Sequence, residues 1–408
     1  MIGNVLVGQS GGPTAVINSS LAGVYKTAKE LGVNKVFGML YGIQGLLEEK
    51  FIDLDEQFHS ELEIEVLKRT PSSYLGSCRY KLPDMNASCD VYEKIFKLLD
   101  KLNIEYFFYI GGNDSMDTIK KLTDYATTIN SKIRFIGVPK TIDNDLCVTD
   151  HTPGFGSAAK FIASTMKEII RDGLVYDIKS VTIVEIMGRN AGWLTGAAAL
   201  AGAQGNGGPD LIYLPECPFD LDDFVEKVRS LQEVKKSVVI AVSEGVKLAD
   251  GRYICELTKA SNFVDSFGHA TLSGAGNFLA TYLSNKLGCK TRAIELNTLQ
   301  RCASHMASLV DITEAYQVGG AAVNLALRGE TGQMVILKRL STNPYLCTTD
   351  HYDVHKIANL EKKIPDEWID SDKVYVTSEF IDYVRPLIME ELTPIMIEGL
   401  PKHLVLDR

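Results

Sequence analysis

The sequence predicts an α/β protein with two doubly wound, Rossmann-like domains, mostly parallel sheets and a site in the cleft between them. Three observations carry that expectation. Short β-branched apolar runs alternate with longer segments of helical period, the pattern of repeated βαβ units. The strands are too numerous for one compact sheet. Glycine and charge clusters recur where a strand gives way to a helix, the place at which open α/β sheets bind ligands.

In chain order, "NVLVG" predicts a strand, "AVINSSLAGVYKTAKELG" a helix and "KVFGML" a second strand. "VYEKIFKLLDKLN" places Val91, Ile95, Leu98 and Leu102 on one helical face; "IEYFFYIGG" then predicts a strand, "DSMDTIKKLTDYATTIN" a helix and "IRFIGVP" a strand. The rhythm resumes with the helix "GSAAKFIASTMKEIIRDG", the strand "SVTIVEIMG" and the small-residue helix "AGWLTGAAALAGA", in which Trp193 reads as core. Next come the strand "DLIYLP", the helix "DLDDFVEKVRSLQEV" and the strand "SVVIAVSEG". The helix "TLSGAGNFLATYLSNKLG", the strand "TRAIEL", a helix over roughly Ser304–Arg328 and the strand "QMVILKR" complete the pattern. This divides the chain into one domain of residues 1–150 plus about 300–345 and a second of residues 151–299. Residues 346–408, richer in Pro and charge, are expected to pack on the core as an extension. The sequence has no internal repeat and no low-complexity tract.

A chain of 408 residues, 45% apolar and 23% charged, has material for a substantial core. Its net charge of −10 argues against nucleic acid and anionic membranes as partners. The cysteines (Cys78, Cys89, Cys147, Cys217, Cys255, Cys289, Cys302 and Cys347) are scattered, which suits reduced thiols rather than a disulfide or zinc framework. The opening "MIGNVLVGQSGG" lacks the basic start of a signal peptide, and no apolar run approaches the ~20 residues of a membrane span. A soluble cytoplasmic protein is the expectation.

Five clusters at strand ends can carry chemistry. In "GQSGGPTAVIN", Gly11 and Gly12 lie between a strand and a helix, where backbone N–H groups meet an anion or simply form a turn. In "YIGGNDSMDT", Asn113, Asp114 and Ser115 either cap the following helix or, with Gly112, hold a hydrated magnesium and its phosphate. In "PKTIDND", capping accounts for one aspartate but not for Lys140, Thr141, Asp143 and Asp145 within six residues. One carboxylate there can act as general base, the second can orient the site or a metal, and the lysine can neutralise a phosphate oxygen. In "EIMGRNAGW", Gly188 and Arg189 follow a strand; the arginine can clamp a phosphate or form a surface ion pair. Glu244 in "VSEG" can accept sugar hydroxyls, and Arg292 and Arg301 bracket a strand near which they can meet a phosphate. His351 and His355 in "HYDVH" lack the glutamate of a zinc-protease motif, and the glycine-rich "AGAQGNGGPD" reads as a loop.

Taken together and in order, the double-glycine loop, "GGNDS", "PKTIDND", "MGR", "SEG" and the two arginines resemble the phosphofructokinase family over roughly residues 1–330. The resemblance implies that fold, with the first domain binding the phosphoryl donor and the second the sugar phosphate. It places the base at Asp143, and Thr141, Asp143, Met187, Gly188, Arg189 and Glu244 around fructose 6-phosphate. Arg292 and Arg301 fall on family arginines that hold the 6-phosphate, one of them across a subunit interface, which implies a homodimer or homotetramer. "GSCR" resembles the family's "GSAR", so Arg79 faces the donor with Gly11, Gly12, Gly112, Asp114 and Ser115. ATP-dependent members have glycine where this chain has Asp114 and Lys140, and that pair resembles the pyrophosphate-dependent branch. A carboxylate at 114 crowds and repels an α-phosphate, while Lys140 stabilises a leaving phosphate that carries no nucleotide.

Two departures qualify the resemblance. The family's magnesium aspartate is Asn113 here, so Asp114 or Asp143 is expected to share the cation. The segment "LNTLQRCAS" has Thr298 where a histidine is common. The expectation is therefore a magnesium-dependent enzyme that moves phosphate between pyrophosphate and the 1-hydroxyl of fructose 6-phosphate, within glycolysis or gluconeogenesis. The rivals are an ATP-dependent 6-phosphofructokinase, a kinase of another sugar phosphate such as sedoheptulose 7-phosphate, and a catalytically silent sugar-phosphate-binding regulatory protein.

Overall fold

The computed structural model describes residues 2–203, 205, 207–257, 272–358 and 360–406. The strands are β1 (Asn4–Gln9), β2 (Val36–Met39), β3 (Phe51–Asp53), β4 (Ile104–Gly111), β5 (Arg134–Pro139), β6 (Ser180–Ile186), β7 (Leu211–Tyr213), β8 (Pro218–Phe219), β9 (Ser237–Ser243), β10 (Lys247–Leu248), β11 (Lys290–Glu295), β12 (Gln333–Thr342) and β13 (Tyr345–Asp353), with a small pair at Met396–Ile397 and Leu400–Pro401. A seven-stranded sheet has the order β13-β12-β5-β4-β1-β2-β3, and a four-stranded sheet the order β11-β6-β9-β7. Every pairing inside them is parallel except the two edges, β2 with β3 and β12 with β13.

The large sheet is covered on both faces, which is why all six residues of β1 are buried rather than every second one. Val5 and Val7 point into a core shared with the helices Ile17–Glu30 and Leu309–Leu327. Leu6, from the other side of the pleat, joins a second core with the helices Cys89–Lys101 and Asn113–Thr128. From β1 the chain moves outward to β2 and later returns on the opposite side at β4. The β1–β4 boundary is thus a topological switch point, and the loops after β1, β4 and β5 open together at one edge. The loops after β6, β9 and β11 do the same at the smaller sheet.

Several expectations needed adjustment. The helix expected over Ser304–Arg328 is a 3₁₀ turn, Ser304–Met306, followed by a helix at Leu309–Leu327. The break falls at extended Ser308, whose N–H donates to Ser157 Oγ and whose hydroxyl donates to the Met389 carbonyl. The small-residue helix is α-helical over Trp193–Ala197 only and continues as 3₁₀ to Gly202. The boundary drawn at 345/346 cuts through β13, because the antiparallel pairing of β12 with β13 carries the large sheet as far as Asp353. The sequence pattern also left unread the antiparallel β3 and the helix Glu61–Arg69, although a Ser60/Glu63 capping box marks that helix's start. In the glycine-rich "AGAQGNGGPD", Gln204 and Asn206 lie outside the described residues, as does Thr271 at the start of the helix now seen at Ala275–Leu287.

Trp193 is 2% exposed, and its ring meets Trp368, Phe380 and Tyr383 of the C-terminal segment, with centroids 5.4–6.1 Å away. His355 lies between Asp124 and Asp353 at 2.7 and 2.8 Å. The eight cysteines are all free, and among the described residues no helix is long and apolar enough to cross a membrane.

The helices Ile17–Glu30 and Leu309–Leu327 touch backbone to backbone through two glycines. A Cβ at Gly23 would lie 2.1 Å from the Tyr316 carbonyl oxygen, and one at Gly319 would lie 2.1 Å from that of Ser20. Gly319→Ala is therefore expected to push the pair apart and cost about 1–3 kcal/mol, read as a lower urea midpoint; an unchanged midpoint would refute the close contact.

Candidate active site

The loops at the carboxyl ends of both sheets line one cavity of about 730 Å³. From the large sheet come Gly11, Gly12, Arg79, Gly112, Asn113, Asp114, Ser115, Lys140, Thr141, Asp143 and Asp145. From the smaller sheet and the segment after it come Met187, Arg189, Glu244 and Arg301. Residues scattered over almost three hundred positions thus meet because parallel strands deliver their loops to one edge.

Lys140 occupies the centre of the large-sheet wall. It is 2% exposed, and its ammonium donates to the Gly12 carbonyl at 2.6 Å. Burial pushes its pKa down to about 8 against the pull of Asp143 and Asp145, and Arg301 and Arg79 push the same way as burial. Gly11 has φ +76°, and a Cβ there would come within 3.3 Å of the lysine Nζ. Glycine here serves both the left-handed turn and the approach of the cation. A Cβ at Gly12 would likewise meet Arg301 Nη1 at 3.3 Å. Arg301, expected beside the sugar phosphate, therefore borders the double-glycine loop as well.

The helix Asn113–Thr128 begins at Gly112, and no side chain caps it. Asn113, Asp114 and Ser115 thus form its first turn rather than its cap. Asn113 Oδ1 is buried with no hydrogen-bond partner, while its amide nitrogen reaches Asp145 Oδ2 at 3.5 Å. An amide oxygen without a donor, beside a carboxylate, fits a hard cation. No group of three or more His, Cys, Asp or Glu side chains among the described residues is ready to hold a metal. Any cation here would take further oxygens from a bound phosphate.

Burial raises the pKa of Asp143, while Lys140, Arg189 and Arg301 oppose that rise. Asp145 is pushed up to about 7 by burial, by Asp143 and by Glu361. The Asp143 N–H donates to Thr141 Oγ1 at 3.1 Å, closing the turn that presents both aspartates. Two neighbouring carboxylates, both raised above the ordinary aspartate range, suit proton transfer.

On the opposite wall, Gly188 has φ +142°, and its N–H donates to Glu244 Oε1 at 3.4 Å. Its carbonyl accepts from the Ser243 hydroxyl at 2.5 Å. The "MGR" and "SEG" loops are therefore pinned together, with Gly188 orienting Glu244 from behind. Burial, Asp143 and Glu185 push the Glu244 carboxyl up to about 8, while the Gly188 N–H and Arg189 oppose that rise. The Met187 N–H donates to Gln300 Oε1 at 3.3 Å.

Arg292 does not join the group. It is exposed on the outer edge of β11, 3.9 Å from Asp172 and beside a smaller groove lined by Tyr176 and Lys290. Thr298 is also outside the residues that line the cavity. Conversely, Lys81, Glu185, Glu295, Gln300 and Glu361 line it without having been singled out. Lys81 and Gln300 flank residues that were. Glu361 carries no local signal at all, because only the return of the C-terminal segment brings it to the cleft.

Glu244 gives a pH test. Its carboxyl ionises near its ordinary 4.5 in the unfolded chain but only near 8 in the folded one. Stability is therefore lost as pH rises between those values. Glu244→Gln removes that loss, so its advantage in thermal melting should widen from pH 6 to pH 8.5 by on the order of 1 kcal/mol. A constant gap would contradict the raised carboxyl.

The phosphofructokinase family profile matches residues 4–326. A pyrophosphate–fructose 6-phosphate 1-phosphotransferase of Xanthomonas campestris is 41% identical, over 99% of this chain and 96% of that protein. An enzyme of the same name from Halomonas elongata is 39% identical, over 98% and 95%. Among solved structures, the pyrophosphate-dependent phosphofructokinase of Nitrosospira multiformis superposes with a TM-score of 0.88 at 35% identity, covering 98% of this chain and 95% of that one. The motif order, the two facing sheets and these matches lead to one conclusion: the chain belongs to the phosphofructokinase family.

Proposed function

We propose that this protein is an enzyme that transfers a phosphoryl group from pyrophosphate to the 1-hydroxyl of fructose 6-phosphate, giving fructose 1,6-bisphosphate and phosphate. The observation that carries the reading is Lys140: a buried ammonium, anchored on the Gly12 carbonyl, next to the aspartates of its own turn. The names of near-full-length relatives support the same donor and acceptor.

In this reading Asp143 takes the proton of the 1-hydroxyl, whose oxygen attacks one phosphorus of pyrophosphate. The bridging P–O bond breaks, and Lys140 stabilises the charge on the departing phosphate. Gly11, Gly12, Gly112, Ser115 and Arg79 receive the donor. Asp114, in the first turn of its helix, adds negative charge where a nucleotide's α-phosphate would pass. Thr141, Met187, Arg189 and Glu244 hold the sugar, with Arg301 between the two substrates. The anhydride consumed and the ester formed are closer in energy than with ATP, so the reaction runs in both directions, in glycolysis or gluconeogenesis.

The orphaned Asn113 oxygen supports magnesium as the cofactor, with Asn113 and Asp114 as its protein ligands and Asp145 alongside. When bound, it supplies positive charge to phosphoryl oxygens. Arg292 can hold a 6-phosphate only in the cleft of another copy, which favours a homodimer or homotetramer. A cytoplasmic setting accords with eight unbridged cysteines.

The test is turnover by purified protein with pyrophosphate and with ATP, using fructose 6-phosphate and sedoheptulose 7-phosphate as acceptors. Pyrophosphate with fructose 6-phosphate should be the preferred pair, and equal or faster turnover with ATP overturns the donor assignment. Lys140→Met should lower kcat with pyrophosphate by about two to three decades, equivalent to ~2–4 kcal/mol. Asp143→Asn should cost about two to four decades. Ligand binding without turnover in the unaltered protein would favour a silent binding protein.

A further inference from the structure

The turn that carries Asp143 and Asp145 is closed only in part by its own bonds, from the Asp143 N–H to Thr141 Oγ1 and from the Thr152 N–H to Asn144 Oδ1, both at 3.1 Å. Asn144 and Val148 both sit at positive φ, 54° and 63°, a conformation that asparagine tolerates but that a β-branched residue adopts only where surrounding structure imposes it. Strand β12 holds the end of the turn, where the Asp150 N–H donates to the Leu337 carbonyl at 2.9 Å, and further restraint comes from the far end of the chain. Leu146 forms an antiparallel bridge with Glu361, and the Lys362 N–H donates to the Asp145 carbonyl at 2.7 Å. The Lys362 ammonium donates to the carbonyls of Asp150 and Thr149 at 2.7 and 3.2 Å, and lies 3.4 Å from Asn144 Oδ1. The Tyr383 hydroxyl donates to the Asp150 carbonyl at 2.6 Å and accepts from Asn144 Nδ2 at 2.9 Å. The strap is itself anchored: Trp193 Nε1 donates to the Lys362 carbonyl at 3.0 Å, and Glu361 Oε1 accepts from Asn190 Nδ2 at 2.9 Å, next to Arg189. Neither Lys362 nor Tyr383 lines the cavity.

We propose that Lys362 and Tyr383 are positioning residues for Asp143 and Asp145: they hold the back of the Thr141–Asp150 turn, so that the base keeps its geometry only while the C-terminal segment is seated. This assigns a role to the segment that the sequence left without one, and it rests on the phosphotransferase reading above. Because their side chains meet the turn at Asn144, Thr149 and Asp150, beyond the sugar-holding Thr141, their loss should lower kcat far more than it changes KM.

Lys362→Met, Lys362→Arg and Tyr383→Phe would be compared with the unaltered protein in pyrophosphate turnover and in amide hydrogen exchange. Lys362→Met should lose about tenfold in kcat, and Tyr383→Phe, which keeps its ring against Trp193, about threefold. KM for both substrates should stay within about twofold, with Lys362→Arg recovering part of the loss. Exchange in residues 143–150 should quicken in Lys362→Met and Tyr383→Phe. Folded variants with unchanged kcat, or with KM raised in place of kcat, overturn the inference. If Lys362→Met fails to fold, Tyr383→Phe decides. Should the unaltered protein not use pyrophosphate, the functional reading falls, and exchange alone decides whether the strap braces the turn: unchanged protection rejects it.

Discussion

Placing an ammonium where water cannot reach it costs several kcal/mol unless neighbouring charges and dipoles replace the lost solvation. Lys140 is such a group, and much around it follows from that requirement. A backbone carbonyl from the double-glycine loop accepts a hydrogen bond from it, and two aspartates follow within its own turn. The glycines at 11 and 12 let the backbone approach two cations more closely than side chains would permit. The arrangement holds positive charge ready for a phosphate and opposes the upward push that burial exerts on the Asp143 carboxyl.

That charge balance needs rigid loops, and the fold supplies them from several directions. The parallel sheets fix where each loop begins, and the pinning of Gly188 to Glu244 and Ser243 fixes the opposite wall. Behind the aspartate turn lies a second buried charge network. His151, 1% exposed, has one ring nitrogen 2.6 Å from Glu314 and the other 2.8 Å from Asp150, which in turn accepts from Arg339. Both ring nitrogens face carboxylates, which raises its pKa to about 9 despite burial. The imidazolium thus ties the end of the turn to the helix Leu309–Leu327. By linkage this contribution is complete below about pH 6.5 and fades as pH rises through 9.

The C-terminal segment extends the same logic. Its aromatic residues pack on Trp193, and the Lys362 ammonium and the Tyr383 hydroxyl both donate to the Asp150 carbonyl at the end of the turn. A turn with a left-handed valine needs support from its surroundings, and part of that support lies more than two hundred residues along the chain. Stability and site geometry are therefore coupled through one strap.

The features legible in the residues alone are local in cause. The β-branched runs, helical periods and glycine junctions specify strand, helix and loop by steric preference and periodicity, so the α/β class and the five polar clusters were legible. "PKTIDND" was legible for a related reason: four functional groups in six residues exceed what capping requires. Features that depend on distant partners emerged from the folded chain. It placed Arg292 outside its own cleft and Arg301 against Gly12, carried the large sheet past residue 345 through an antiparallel edge, and brought Glu361, Lys362 and Tyr383 onto the aspartate turn. No periodicity or spacing encodes those contacts, because they arise when two covered sheets and a returning chain compete to satisfy the same buried polar groups.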